Sequence, residues 1–255
     1  MPPLCFVIND VKVICGIHQL HYLPWLRYFH KIYLSDVFVL LDDIQFTKNG
    51  WQNRNKIKSP QGWIYLTIPV RYHAEVLINQ IEIATPELWQ KKHLKSLSMF
   101  YGKAPYFSRY IPLFQEFYSH SWKKLHEAAF YLLRLLLDAL EIKTPIVRSS
   151  ELNVPGEATE RLINICKELG ADTYLTGEHA LHVYLEPDKF REQQIDLLVQ
   201  KWECPEYTQQ FPRLGFIPDL SIADLLFNEG PNSLAVIKKG GDTVEPYPPL
   251  SSPAG

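Results

Sequence analysis

Val11-Lys12-Val13-Ile14-Cys15-Gly16-Ile17-His18-Gln19-Leu20-His21-Tyr22-Leu23-Pro24-Trp25 decides the fold. Residues 11–17 form an apolar run that reads as a buried strand. Pro24 is suited to open a helix over 24–34, because a first-turn residue needs no N–H. Residues 37–41 form a second apolar run, ending in Asp42-Asp43. Strand, helix and strand joined by short links favour a parallel pair with a right-handed crossover. The polar knot His18 to Trp25 then falls at the carboxyl end of a strand, where open α/β sheets place ligands. Asp42 and Asp43 fall on the same edge, so both clusters are expected to share one crevice.

Beyond this unit, Gln45 to Lys56 is polar, aromatic and rich in Asn, and reads as a long loop. Residues 63–70 and 78–83 are short strand candidates. Thr85-Pro86-Glu87 is a helix start, with a capping hydroxyl, a proline and an early acid. Helices are expected to about Tyr101, over 106–118 and over 122–140, the last with a wide apolar face. The alternation resumes with a helix over 157–169, strands at 173–176 and 195–200, and a last helical stretch from Asp219 to Phe227. The fold class is α/β, a mostly parallel sheet with flanking helices and a helical middle region. Residues 1–84 make an amino-terminal α/β segment with the site, 85–145 the helical region, 146–244 a second α/β segment of the same domain, and 245–255 a proline-rich tail expected to be mobile.

The 255 residues suffice for a sizeable core, and 46% hydrophobic with 21% charged residues is ordinary globular composition. A net charge of −2 supplies no field for nucleic acid or an anionic membrane. Cys5, Cys15, Cys166 and Cys204 are scattered without a C-x-x-C pair, as in reduced thiols of a cytoplasmic protein. Cys166 and Cys204 lack the paired His of an activated thiolate. No signal peptide or transmembrane segment is expected, since the most apolar window, 128–140, is too short to span a bilayer.

His18-x-x-His21 supports two chemistries. Both imidazoles could meet phosphate oxygens at a helix N-terminus, as in the H-x-G-H signature of nucleotidylyltransferases, here with Leu20 for Gly. Metal binding is weaker, because no third ligand follows from spacing; a purely structural reading makes one His backbone-bonded and one exposed. Asp42-Asp43 could accept a proton, hold an ion or a ribose hydroxyl, or merely cap a turn. Trp51, Gln52, Asn53, Arg54, Asn55 and Lys56 suit a flat or phosphorylated ligand, Arg54 gripping an oxyanion while Trp51 stacks; alternatively they form a solvated loop around one buried Trp. Gly177, His179 and Tyr184 sit at another strand-to-loop junction with its own His-x-x-His, or on a plain helix start with surface histidines.

The block His18-Gln19 through Tyr22-Leu23-Pro24-Trp25 and His30-Lys31-Ile32 resembles the WbqC-like family of bacterial proteins. Ser35-Asp36-Val37-Phe38-Val39, Asp42-Asp43-Ile44-Gln45-Phe46 and Trp51-Gln52-Asn53-Arg54-Asn55 continue the match. Echoes follow at Tyr174-Leu175-x-Gly177, Tyr184-Leu185 and Ser221-Ile222-x-Asp224-Leu225-Leu226-Phe227-Asn228-x-Gly230. The family more often shows Pro and Asn where this chain has Leu20 and His21, so His18 and Gln19 carry more weight than His21. The resemblance implies surface polysaccharide assembly, with transfer of an aminoacyl group such as glycine onto a sugar.

These readings combine into a transferase acting on a nucleotide-linked or otherwise activated sugar, with a small anionic or sugar-linked substrate and no nucleic-acid partner. His18, Asp42 and Asp43 are the expected catalytic groups. Gln19, His21, Tyr22, Trp25, Gln45, Trp51, Asn53, Arg54, Lys56, Gly177, His179 and Tyr184 are the expected binding groups. The alternatives are a nucleotidylyltransferase or adenylate-forming ligase, and a non-catalytic ligand-binding module. No metal site, cofactor or oligomeric state follows from the residues.

Overall fold

The computed structural model describes residues 12–84, 88–241 and 244–247. Strand β1 (Ile14–Gln19) leads through helix α1 (Leu26–Tyr33) to β2 (Val37–Leu41), parallel to β1 with Cys15 opposite Val37 and Gln19 opposite Leu41. The chain then leaves the sheet for a hairpin, β3 (Arg54–Ser59) and β4 (Gly62–Thr67), and a short pair, β5 (Val70–Arg71) and β6 (Glu82–Ile83). Helices α2 (Leu88–Tyr101), α3 (Phe107–Ser119) and α4 (Leu125–Ala139) follow. Strand β7 (Ile146–Arg148) returns beside β2, and α5 (Ser149–Leu152) and α6 (Ala158–Glu168) cross to β8 (Thr173–Gly177). Next come α7 (Glu178–Val183), α8 (Pro187–Glu192), β9 (Asp196–Gln200), α9 (Ile222–Glu229), α10 (Ser233–Lys239) and β10 (Val244–Pro246).

The main sheet has the order β10-β9-β8-β1-β2-β7, with β10 antiparallel and the rest parallel. The chain winds from β1 outward to β2 and β7, then returns to the opposite side of β1 for β8 and β9. The winding direction reverses between β1 and β8. There the ladder joins only Ile14–Gly16 to Thr173–Leu175, although β1 continues to Gln19 and β8 to Gly177. The two strands therefore part at their carboxyl ends.

Alternating residues divide the core into two layers. Phe38 and Leu40 face Phe29 and Ile32 of α1, in a cluster that runs on through α2–α4, α9 and α10. Cys15, Ile17 and Val39 face Leu162, Ile163 and Cys166 of α6 and Phe190 of α8. Gly16 lets β2 and the end of α1 close onto β1, since a Cβ there would lie 2.2 Å from Ser35 Oγ and 2.8 Å from Phe38 Cδ2.

Several elements differ from the sequence reading. The first strand begins at Ile14 among the described residues and takes in His18 and Gln19. Pro24 does not open α1: Trp25 is held extended by a bridge to Ser221, and the helix starts at Leu26. The expected loop through Lys56 ends early in a strand, because Asn55 and Ile57 alternate inward and both are buried. Residues 78–83 hold a 3-10 turn, Ile78–Gln80, before the short β6. The tail reading meets β10, where 244–246 pair with β9. Residues 1–11, Thr85-Pro86-Glu87, 242–243 and 248–255 lie outside the described residues.

Candidate functional site

A cavity of about 690 Å³ opens where β1 and β8 part, a size typical of ligand sites. His18, Gln19, His21 and Trp25 come to it from β1 and the following loop, and Arg27, Tyr28 and Lys31 from α1. Trp51 and Lys56 contribute from the hairpin side, and Tyr174, Gly177, His179 and Tyr184 from β8 and the segment after it. This is the switch point of an open α/β sheet, the place such folds reserve for ligands.

The loop between β1 and α1 is set by its neighbours. Leu23 has φ +48°, an uncommon conformation for a branched residue, and its carbonyl accepts a hydrogen bond from buried Asn55 at 2.6 Å. The Tyr22 N–H donates to Trp51 O at 3.2 Å. Gln52 Nε2 donates to Gln19 Oε1 at 2.8 Å, and the Tyr28 hydroxyl to Gln19 O at 3.0 Å. The Asn-rich segment thus acts as a brace for the histidine loop.

The histidines pack edge to face, ring centres 4.8 Å apart, with Tyr28 4.9 Å from His18 and Trp25 5.1 Å from His21. Burial and then the Lys31 ammonium hold His18 down at about 3, against a smaller opposing effect of the Gln19 carbonyl. That carbonyl, 3.2 Å from His18 Nδ1, can only accept, which puts the ring hydrogen on Nδ1 and a lone pair on Nε2. Burial, then the neighbouring His18, holds His21 well below the ordinary range. His21 is 4% exposed, and among the described residues its Nδ1 has no hydrogen-bond partner.

Lys31 lies in the split between the strands. Its ammonium donates to Ile17 O at 2.7 Å and sits 5.7 Å from the centre of the Tyr174 ring. Burial lowers it to about 8, opposed by the thiols Cys15 and Cys166. Among the described residues no carboxylate lies within ion-pair distance of it.

Of the residues expected at the site, His18, Gln19, His21, Trp25, Trp51, Lys56, Gly177, His179 and Tyr184 line the cavity. Six do not. Asp42 accepts hydrogen bonds from Ser150 N–H at 3.0 Å and Ser150 Oγ at 2.8 Å, and Asp43 is taken by Ser149 Oγ and Arg161. The two acids share the sheet edge but turn toward β7, α5 and α6, so the expected common crevice with the histidines does not form. Tyr22 is in the core, bonded to His93 Nδ1 at 2.9 Å and Tyr118 at 2.6 Å. Gln45 is exposed, and buried Asn53 donates to Ile68 O. Arg54 donates to Asn49 O at 2.5 Å and stacks on Tyr65, away from the cavity.

Arg27, Tyr28, Lys31, Tyr174 and Gln200 line the cavity without having been singled out from the sequence. Arg27 and Lys31 sit four apart on α1, a spacing that reads as a solvated face. Among the described residues no group of three or more His, Cys, Asp or Glu is arranged to hold a metal ion. A second cavity, about 630 Å³, lies at the opposite sheet edge. Its Lys12 pairs with Asp196, and its Arg191 with Asp188.

The WbqC-like protein family profile matches residues 19–236. The chain belongs to the WbqC-like protein family. It is 33% identical over 225 residues to the uncharacterized protein Rv1507c of Mycobacterium tuberculosis, covering 84% of this chain and 93% of that protein. No solved structure is significantly similar to the chain. The family match includes nearly every cavity residue of this WbqC-like chain, leaving out only Ile17 and His18. Among the described residues no helix is long and apolar enough to cross a membrane.

Proposed function

We propose that this protein is a transferase that modifies an activated, nucleotide-linked sugar, adding an aminoacyl or acyl group, in surface polysaccharide or related biosynthesis. The observation that carries this reading is the placement of a neutral, tautomerically fixed His18 at a switch-point cavity also lined by indole rings and cations. Trp25 and Trp51, with ring centres 5.1 Å apart, offer faces for a flat or pyranose ring. His18 Nε2 accepts a hydrogen bond from the acceptor amine or hydroxyl. As the acceptor nitrogen or oxygen bonds to the acyl carbon and the bond from that carbon to the donor's leaving group breaks, the acceptor's proton passes to the imidazole, which can return it to the departing group. Burial and the Lys31 ammonium keep His18 a weak base before substrate binds, and an anionic substrate group beside it would raise its affinity for that proton.

The test incubates the full chain with sugar nucleotides, amino acids or acyl donors, with and without ATP and Mg²⁺, and searches for a new mass. A product formed by wild type and reduced at least 100-fold by His18→Ala, with a thermal midpoint within a few degrees of wild type, supports the reading. No product with any combination, or undiminished turnover by the folded variant, overturns it.

A further inference from the structure

We propose that Lys31 and His21 form an oxyanion site, holding a phosphoryl or carboxylate group of a substrate in the split between β1 and β8. The proposal rests on the reading of this cavity as a substrate site and names which charge it takes and where.

Lys31 is 5% exposed, and among the described residues its ammonium donates to Ile17 O alone, a carbonyl beyond the point where the β1–β8 ladder stops. An ammonium needs more than one neutral carbonyl to offset the loss of water, and buried cations are ordinarily paired. No carboxylate supplies that pairing among the described residues, while acids elsewhere in the molecule are matched to Ser149, Ser150 and Arg161. His21 independently points to a ligand. Its buried Nδ1 lacks a partner, a deficit that costs about 1–3 kcal/mol in a closed protein. With the hydrogen on Nδ1, neutral His21 donates to an oxyanion and adds no competing charge. Both residues line the cavity that an incoming group would fill.

An anion beside Lys31 also draws a proton onto it. Lys31 titrates at about 8 without ligand, so at pH 8 about half of the molecules carry the neutral amine. The groups around it are His18 and Cys15 on β1, Cys166 on α6, Tyr174 on β8 and Arg27 on its own helix, and the cavity wall adds Lys56, Glu178, His179, Tyr184 and Asp219, with Glu178 paired to Lys201. Burial holds His18 and His21 far below this range, and burial raises Tyr174. The Cys166 thiol is raised too, by the Cys15 hydrogen bond and by burial. Burial brings Lys31 into this range, and it is the group expected to take up the proton.

Sulfate is the probe, because it does not titrate there. Calorimetric titration of the full chain with sodium sulfate at pH 8, in Tris and in HEPES, is expected to show uptake of about half a proton per site. Lys31→Met is expected to weaken binding at least tenfold. Lys31→Arg keeps the charge and binds, but with heats independent of buffer, which also covers failure of the methionine variant to fold. Pyrophosphate and UDP, against acetate and glycine, compete for sulfate and identify the source as phosphoryl or carboxylate. No sulfate binding by wild type, binding without proton uptake, or unchanged affinity in folded Lys31→Met overturns the proposal. Sugar-nucleotide turnover that survives such a result would leave the transferase reading standing and remove only the oxyanion site.

Discussion

Two lysines are buried among the described residues, and they differ in how many acceptors their ammonium groups meet. Lys58 is 0% exposed and donates to Gln209 Oε1 at 2.9 Å and Gly215 O at 2.6 Å. Its backbone N–H meets the Tyr101 hydroxyl, which itself donates to Asp224 at 2.7 Å. Tyr207 closes the network onto the other Asp224 oxygen at 2.9 Å. Lys31 has one carbonyl, a ring face and a cavity. A buried charge whose neighbours are complete is a structural fastening, here tying residues 207–217 to β3 and α9. One whose neighbours are missing, on a cavity wall, is prepared for something that arrives.

The contrast is broken most severely at Lys58. Lys58→Met removes the donor to Gln209 Oε1 and the Gly215 carbonyl and takes a nearby positive charge away from Asp224, which keeps its two tyrosine hydroxyls. Hydrogen bonds from a charged donor contribute about 1.5–3 kcal/mol each, so losing both costs about 3–5 kcal/mol. Urea unfolding at pH 7 is the measurement, and a loss below about 1 kcal/mol would show that the two lysines are not of different kinds.

Lys31 is expected to act in the opposite direction. Its folded value near 8 lies below the 10.5 of a free lysine, so between these values the unfolded chain binds more protons. Stability from this group therefore rises as pH increases from 8 to 10.5, by about 3 kcal/mol in all. Lys31→Met removes the dependence. Its stability relative to wild type is expected to be greatest at pH 7 and to shrink by about that amount toward pH 10.5. Buried tyrosines titrate in both proteins and cancel in the difference. A difference that stays flat with pH would mean the amine has a companion charge.

The same contrast explains what could be read from the residues. The parallel unit at the amino terminus was legible because apolar runs at 11–17 and 37–41 flank a helical segment, expected over 24–34, with short links. So was the placing of His18 and His21, since a strand end in such a unit has a fixed edge. The destiny of Asp42 and Asp43 was not legible, because Ser149, Ser150 and Arg161 lie more than a hundred residues further on. Tyr22 was lost to the core for a similar reason: His93 and Tyr118 come from α2 and α3. Lys31 escaped notice because a lysine four residues after an arginine looks like a solvated helix face. Only the parting of β1 from β8 reveals that it is enclosed.

The smallest expected effect is at the acid pair beside the cavity. Asp43 joins the end of β2 to α6 through Arg161, with both side chains partly open to solvent. Asp43→Asn keeps the shape and an acceptor for Ser149 while removing the charge, and screening limits the loss to about 1 kcal/mol. Because Asp43 is matched by protein groups and does not line the cavity, sulfate affinity in this variant is expected to stay within about twofold of wild type. A tenfold change in sulfate affinity, with the fold intact by urea unfolding, would return Asp43 to the site. It would then be the charge of the neighbouring acids, rather than the absence of any carboxylate partner, that tunes Lys31.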